Sequence, residues 1–197
     1  RERRSMLFDE HIVELTRYVE GLGARNPGWE FPYFDPLDGG PQADMLFLQE
    51  KPGPMTSPSR GGSGFISRDN DDRTAEAVFH FMKQAGIPRT RTIRWNVIPG
   101  WNGTTNTTTS ELAAGIEELK NLIKLLPYAR VVVLVGRKAQ EAHLLLEEKG
   151  LHVFMSAHPG PQVRGPNRKM WDAIPLVWKD AFKKAEELQQ STVATRS

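Results

Sequence analysis

Residues 45–54 read Met-Leu-Phe-Leu-Gln-Glu-Lys-Pro-Gly-Pro, an apolar run that ends abruptly in a polar turn. Three further runs have the same form: Ile93–Ile98, Val131–Val135 and Val153–Ser156. Runs that are apolar at successive positions, rather than at alternate positions, are typical of strands buried on both faces of a parallel sheet. The sequence therefore predicts four buried strands, the first of them Met45–Gln49.

Helical periodicity separates these runs. The predicted helices are Leu7–Leu22, Thr74–Ala85, Ser110–Leu126 with Thr109 or Ser110 as N-cap, Lys138–Lys149, and Met170–Leu188 with an interruption at Pro175. Residues 26–41, rich in Pro and Gly, are predicted to be irregular. Strands that alternate with helices indicate an α/β fold, here three α/β/α layers around a central four-stranded, mostly parallel sheet.

The composition is that of a globular protein. The chain has 197 residues, of which 39% are hydrophobic and 25% charged, and a formal net charge of +2. We predict one domain over residues 1–188 and a flexible C-terminal tail over residues 189–197. The chain has no cysteine, which excludes disulfides, thiolate nucleophiles and cysteine-ligated metal centres. The longest apolar run is too short to span a bilayer, and we expect a soluble, intracellular protein.

The carboxyl ends of the predicted strands all lead into polar, Gly- or Pro-containing segments. In open α/β sheets, ligands bind at the edge formed by these ends. We therefore expect a binding site there. Its segments are Gln49–Pro54, Trp95–Gly103, Gly136–Lys138 and Ser156–Pro161.

In order and spacing, these segments resemble the motifs of the uracil-DNA glycosylase superfamily. The resemblance covers about residues 36–180, and its strength lies in the combination of motifs. The matching elements are Gln49–Gly53 for the Gly-x-x-Pro-type first motif, Gly61–Phe65 for a Gly-rich stretch ending in phenylalanine, Asn96 for the base-reading asparagine, the strand–Gly–helix unit Val131–Ala142, and His158–Pro161 for the His-Pro-Ser-Pro motif.

The resemblance implies a role for each matching residue. Phe65 would stack on the flipped base, Asn96 would pair with the N3–H and O4 edge of uracil, and His158 would donate a hydrogen bond to O2 as negative charge develops. We expect Gln49, Lys51 and Gly53 to complete the base site, which requires no metal or cofactor.

Two departures from the superfamily pattern affect these expectations. Lys51 stands where the classical motif has the Asp that positions water, so we expect Glu50 and Asp69 to share that role. Gly53 replaces the Tyr that blocks the 5-methyl group of thymine, which predicts a wider range of accepted bases, such as deaminated purines or 5-modified uracils.

Contacts to the DNA backbone are predicted on the same rim. The candidate DNA-binding residues are Pro54, Ser67, Arg68, Gly160, Gln162, Arg164 and Arg168. Four further arginines lie near the rim loops, namely Arg60, Arg89, Arg91 and Arg94. Local basic patches on a chain of near-neutral total charge suit phosphate contact on one face.

Structural interpretations of the same residues stay open. Asn96 could cap a turn, Phe65 could belong to the core, and Asn70–Asp72 could serve only as a helix N-cap. Lys51 could contact phosphate or backbone, or act as a Schiff-base amine that adds lyase activity.

The sequence thus predicts a monofunctional glycosylase that excises uracil, and other deaminated bases, from DNA. We expect a monomer in the bacterial cytoplasm, associated with the nucleoid. The first alternative is a catalytically weak or inactive relative that binds uracil-containing or abasic DNA. The second is a hydrolase of free nucleosides or nucleotides, against which the arginine-rich rim argues.

Overall fold

The computed structural model describes residues 2–194. In chain order its helices and strands are α1 (Glu2–Ser5), α2 (Val13–Arg25), β1 (Tyr33–Phe34), β2 (Met45–Gln49), β3 (Phe65–Ile66), α3 (Arg73–Gln84), β4 (Thr92–Asn96), α4 (Thr109–Lys124), β5 (Val131–Val135), α5 (Arg137–Gln140), α6 (His143–Glu148), β6 (His152–Ser156), α7 (Pro161–Arg164) and α8 (Arg168–Ala194). Short 3-10 turns lie between several of them.

The four apolar runs form one sheet, in the order β4-β2-β5-β6, and every pair in it is parallel. The register places Gln49 of β2 beside Asn96 of β4, and Val135 of β5 beside Ser156 of β6. All four strands therefore end at the same edge, and the predicted segments that follow them meet there.

Helices cover both faces of this sheet, and the two faces have separate cores. Alternate strand residues such as Leu46, Leu48 and Trp95 pack with α2, α4 and α6, whereas Met45 and Phe47 pack with α3 and α8. Successive residues of a strand point to opposite faces, which explains why runs without polar interruptions are needed. The predicted three-layer α/β/α fold is confirmed.

Several predicted helix boundaries were wrong. Residues 6–12 form turns, so the N-terminal helix is split into α1 and α2, and α2 continues through Gly21 and Gly23 to Arg25. The predicted helix over residues 138–149 is likewise split, into α5 and α6. Apolar residues can keep a helical spacing across a short break in the helix, so their spacing alone did not reveal these interruptions.

The ends of α4 and α8 also differ from the prediction. Thr108, not Thr109 or Ser110, caps α4, in a reciprocal capping box with Glu111. Helix α8 begins at Arg168, passes through Pro175 without a break and continues to Ala194. Residues 189–194 of the predicted tail are therefore helical, and residues 195–197 lie outside the described part of the chain.

The predicted irregular segment contains one regular element. Strand β1 pairs in parallel with β3 to form a small second sheet, with Tyr33 beside Phe65. Among the described residues no helix is both long and apolar enough to cross a membrane.

Candidate active site

A cavity of about 340 Å³ opens at the carboxyl ends of β2 and β4. Its polar walls come from strand ends, from the start of α3 and from the loop after β6. The polar residues that line it and bear on the chemistry are Gln49, Asn70, Asp72, Arg94, Asn96 and His158. Four segments far apart in sequence thus contribute to one concave site, as an active site requires.

Asn96 is the last residue of β4 and lines the cavity, although only 5% of its surface is exposed. Its amide makes no side-chain hydrogen bond to any of residues 2–194, so it is not committed to capping a turn. A carboxamide offers one acceptor oxygen and one amino group with two donors. Asn96 is therefore available to pair with a bound base.

His158 lines the same cavity from the loop after β6. Burial lowers the pKa of its imidazole; Glu50 and Asp72 act in the opposite direction, and Arg94 adds to the lowering. The ring is therefore neutral at pH 7 and can donate one N–H. Gly160 gives this ring its room, because a Cβ at residue 160 would lie 2.8 Å from His158 Nδ1 and 2.7 Å from Gln162 Oε1.

Asp72 brings a carboxylate into the cavity wall. Its Oδ1 accepts hydrogen bonds from the backbone N–H groups of Thr74 and Ala75, both at 2.9 Å, so it is the N-cap of α3. Within the described chain, its second oxygen has no hydrogen-bond partner. The N-cap interpretation of residues 70–72 is confirmed, but the same side chain also faces the site.

The two carboxylates expected to position water lie elsewhere. Asp69 Oδ2 accepts a hydrogen bond from Arg89 Nη1 at 2.7 Å, and Asp69 does not line the cavity. Glu50 Oε1 accepts from the Lys138 backbone N–H at 3.1 Å, at the start of α5. Glu50 borders a neighbouring cavity of about 750 Å³, which shares His158 and Gln162 with the first.

Lys51 lines the cavity, but its ammonium group is engaged in the protein. Nζ donates to Asn102 Oδ1 at 2.9 Å, to the Asn106 carbonyl at 2.7 Å and to Glu111 Oε1 at 3.2 Å. Only 3% of the side chain is exposed. These contacts fasten the loop after β4 to the start of α4, and they argue against a free Schiff-base amine.

Gly53 and Phe65 differ in how well the structure suits their expected roles. A Cβ at Gly53, which lines the cavity, would meet no atom within 4 Å, so this wall is open. Phe65 is only 3% exposed, and its ring packs against Tyr33 with the Arg3 guanidinium 5.0 Å from its centre. Phe65 is not among the residues that line the cavity, whereas its neighbour Ile66 is.

Besides Asp72, two further residues that line the cavity were not predicted as site residues. Arg94 is fully buried, and its Nη2 donates to Gln49 Oε1 at 2.6 Å. Asn70 donates from Nδ2 to the Phe65 carbonyl at 2.9 Å, and its buried Oδ1 has no partner among residues 2–194. The twofold period of β4 is a signal for Arg94, because residues 94 and 96 share one face of the strand.

The predicted DNA-binding residues divide into buried and exposed sets. Ser67 and Arg68 are buried; Ser67 lines the cavity, and Arg68 pairs with Asp38 at 3.9 Å, so the predicted contact of these two residues with DNA stays a prediction. Gly160 is also buried and supports His158 instead. The exposed members are Pro54, Gln162, Arg164 and Arg168.

The other rim arginines are largely engaged in ion pairs. Arg89 lies between the buried carboxylates of Asp35 and Asp38, at 2.7 and 2.8 Å, and Arg91 pairs with Asp44. Burial raises the pKa of Asp38 to about 6, against the lowering effect of Arg89. Of the rim arginines without a predicted DNA contact, only Arg60 is exposed; its guanidinium lies over Trp101. In the described residues no three acidic or histidine side chains group as a metal site.

Comparison with known proteins identifies the family of the chain. A model of the uracil DNA glycosylase superfamily matches residues 36–182. Among solved structures, similarity extends to a candidate uracil DNA glycosylase from Methanosarcina acetivorans, with 17% identity, TM-score 0.47 and coverage of 76% of this chain and 94% of that chain. It also extends to the wild-type UNG of Nitratifractor salsuginis, with 14% identity, TM-score 0.41 and coverage of 89% and 95%. No curated relative matches the chain.

The family match spans the site as well as the fold. Residues 36–182 include every residue named above as lining the cavity, from Gln49 on β2 to Gln162 at the start of α7. The match also covers most of the chain, from the loop before β2 into α8. The chain therefore belongs to the uracil DNA glycosylase superfamily.

Proposed function

We propose that this protein is a monofunctional DNA glycosylase that removes uracil, and other deaminated bases, by hydrolysing the N-glycosidic bond. The observation that carries the proposal is that Asn96, His158 and Asp72 line one cavity. They supply a group to read a base, a donor for a developing oxyanion and a carboxylate for water, which together are what the reaction needs.

Base recognition and departure depend on Asn96 and His158. A nucleotide flipped out of the duplex brings its base into the cavity. Asn96 accepts from N3–H of uracil and donates to O4. As the bond between C1′ and the base nitrogen breaks, negative charge collects on O2, and the neutral His158 donates a hydrogen bond to it.

In this proposal, Asp72 activates the attacking water. Its uncommitted oxygen accepts a proton from the water that attacks C1′, and its negative charge also stabilises the positive sugar. The capping bonds to Thr74 and Ala75 hold the carboxylate in place during this step. Glu50, on the other side of His158, acts through the charge that it places near the imidazole.

Four exposed residues are the proposed contacts to the DNA backbone: Pro54, Gln162, Arg164 and Arg168. Arg164 lies over Trp171 with its guanidinium 5.6 Å from the ring centre, and Arg168 pairs with Asp172 at 3.0 Å. Both arginines lie in or next to the short helix α7, which follows the His158 loop. Gln162 of α7 lines the cavity, and we infer that the two arginines near it contact the phosphates that flank a flipped nucleotide.

Single-turnover base release from a uracil-containing duplex, in EDTA and followed by alkali, tests the assignment. Asp72→Asn keeps the N-cap, because Asn is as good a cap as Asp, but removes the charge. We expect it to slow release by about a hundredfold or more. Asn96→Ala is also expected to slow release, and strand breakage should require alkali throughout.

Matched carboxylate variants serve as controls. Asp69→Asn and Glu50→Gln remove one negative charge each, outside the cavity. If either slows release more than Asp72→Asn does, the assignment of Asp72 is wrong. If Asn96→Ala retains the wild-type rate, the base-reading role of Asn96 is wrong.

One observation favours the alternative of a DNA-binding relative without catalysis. Lys51 occupies the position of the classical water-positioning Asp, and it holds a loop in place. Under this alternative, wild-type protein would bind uracil-containing or abasic duplex in a salt-sensitive manner and release no base. Release from any duplex in the assay above would exclude it.

A further inference from the structure

The side-chain amide of Gln49 is held in one orientation by Arg94. A guanidinium has only donors, so the Gln49 atom that lies 2.6 Å from Arg94 Nη2 must be the carboxamide oxygen. The Gln49 amino group is therefore the end of the amide that does not contact Arg94. Gln49 lines the cavity, and its Nε2 has no hydrogen-bond partner in the part of the chain that the structure describes.

Reversing this orientation of the Gln49 amide would cost considerable free energy. Arg94 is only 4% exposed, and Gln49 Oε1 is the one hydrogen-bond acceptor that it has among residues 2–194. Its Nη1 has no partner within the same residues. Turning the amide over would place the Gln49 amino group against the guanidinium and leave a buried cation without an acceptor, which is strongly unfavourable.

Asn96, the neighbour of Gln49 across the strands, has no such constraint. Because none of the described residues hydrogen-bonds its amide, Asn96 can present either its oxygen or its amino group to a base. A reversible amide can pair with uracil or, when turned over, with cytosine. Asn96 alone therefore does not determine which of these bases the cavity accepts.

We propose that Gln49, positioned by Arg94, sets the selectivity of the cavity for bases that present a carbonyl oxygen. This inference rests on the proposed function, because it requires a base in the cavity. The Gln49 amino group donates to O4 of uracil, or to O6 of hypoxanthine and xanthine. Cytosine and adenine present an amino group there, so two donors would face each other without an acceptor.

Binding of duplexes that carry 2′-fluoro-deoxyuridine or 2′-fluoro-deoxycytidine tests this proposal, because the fluorine slows base release. Fluorescence anisotropy gives the ratio of the affinity for the uracil duplex to the affinity for the cytosine duplex. Wild-type protein is expected to prefer the uracil duplex. Gln49→Glu has the same shape, keeps its bond to Arg94 and presents an acceptor to the base, so the ratio should fall by about tenfold or more.

Two further variants separate positioning from packing. Gln49→Met removes the polar group at similar size and should bring the ratio towards one without favouring cytosine. Arg94→Lys keeps a buried donor facing Gln49 and should preserve most of the preference, whereas Arg94→Met should lose it. Circular dichroism of each variant establishes that it is folded.

Failure of this inference is distinguishable from failure of the proposed function. If wild-type protein prefers the uracil duplex but releases no base from unmodified DNA, the selectivity stands and the glycosylase proposal fails. If wild-type protein releases uracil but binds both fluorinated duplexes equally, the role of Gln49 is overturned. An unchanged ratio in Gln49→Glu overturns it as well.

Discussion

At residue 53 the wall of the cavity consists of backbone alone. Gly53 has a φ of −96°, which any residue can adopt, so the glycine is not needed for the turn. A side chain there would enter open space. The consequence of this glycine is therefore the width of the cavity rather than the path of the chain.

Gly53→Tyr is expected to narrow the range of bases. Release of uracil should change by only a few-fold, whereas release of hypoxanthine, xanthine and 5-substituted uracils should fall by about tenfold or more, because the ring fills space that these bases need. Single-turnover rates on a panel of duplexes measure both. Gly53→Ala is the control and should leave the release rates of all bases unchanged. If Gly53→Tyr lowered the release rates of all bases equally, the proposed effect of cavity width on base range would be contradicted.

The sequence predicted those cavity-lining residues that lie at or just after a strand end. Asn96 and His158 could be found because they follow apolar runs and lie within recognisable motifs. Asp72 and Arg94 could not be assigned in the same way, since Asp72 matched a helix cap and Arg94 was one of several arginines near the rim loops. Only the packing of α3 against the strand ends brings the Asp72 cap into the cavity.

Phe65 is a residue for which the motif and the packing differ. Its position after a Gly-rich stretch matched the motif of a stacking residue, but β3 pairs with β1 and buries the ring against Tyr33. The pairing joins segments about thirty residues apart, and a strand of two residues leaves no periodicity to detect. Long-range contacts of this kind are not encoded in local spacing.

At the scale of elements, the hydrogen bonds of the Lys51 ammonium group connect three segments of the chain. This group joins the end of β2 to the loop after β4 and to Glu111 in the first turn of α4. Glu111 also completes the capping box of that helix. One buried charge therefore orders a loop that contains several Thr and Asn residues, with little regular structure of its own.

Lys51→Met is expected to loosen this loop. The variant keeps the apolar stem but removes the donor to Asn102 Oδ1 and to the Asn106 carbonyl, whereas Glu111 Oε1 keeps its hydrogen bond from Asn102 Nδ2. This loss should lower the free energy of unfolding by about 1–3 kcal/mol. Hydrogen exchange should become faster for amides of residues 102–108. No covalent DNA adduct should be trapped by borohydride with wild-type protein, because the amine is engaged.

Lys124, the last residue of α4, offers a matched control for Lys51. Lys124 is exposed and lies 3.4 Å from Asn121, so Lys124→Met should leave both stability and exchange close to wild type. Borohydride trapping of wild-type protein that disappears in Lys51→Met would contradict the structural role and restore the Schiff-base interpretation.

The strands were easier to predict than the helix ends for a physical reason. Strands β2 and β5 are bounded by the apolar runs themselves, and both predicted ranges, Met45–Gln49 and Val131–Val135, match the structure. Helix ends depend on which side chain caps them, and several candidates can stand side by side, as at Thr108–Ser110. The continuous path of α8 through Pro175 reflects burial of Ile174 and Trp178, which packing favours over the local cost of proline.

At the scale of the whole molecule, the site lies where the sheet edge meets elements from both halves of the chain. His158 is held partly buried there, and burial keeps its pKa below the ordinary value. In the unfolded chain the imidazole takes up a proton near pH 6.5, but in the folded protein only at lower pH. The unfolded state therefore binds more protons over this interval, and stability falls as the pH falls.

Replacing His158 should remove this dependence. Between about pH 7.5 and pH 5.5, wild-type protein is expected to lose more stability than His158→Gln does, because the variant has no imidazole to protonate on unfolding. Urea unfolding at both pH values gives the comparison. His80→Gln, on the exposed side of α3, is the control and should follow wild type. A greater loss in His158→Gln would contradict the direction of the pKa shift.

Asp72 caps α3 in addition to its proposed role in water activation, and this combination affects how sequences of related proteins are interpreted. A lineage that lost the reaction would still gain from an acidic or amide residue at the start of α3, because the backbone N–H groups of Thr74 and Ala75 need an acceptor. Selection for folding alone can therefore preserve this aspartate. Its retention in a homologue is not a marker of an active enzyme, whereas its exchange for asparagine would mark relaxed selection on chemistry with the fold kept intact.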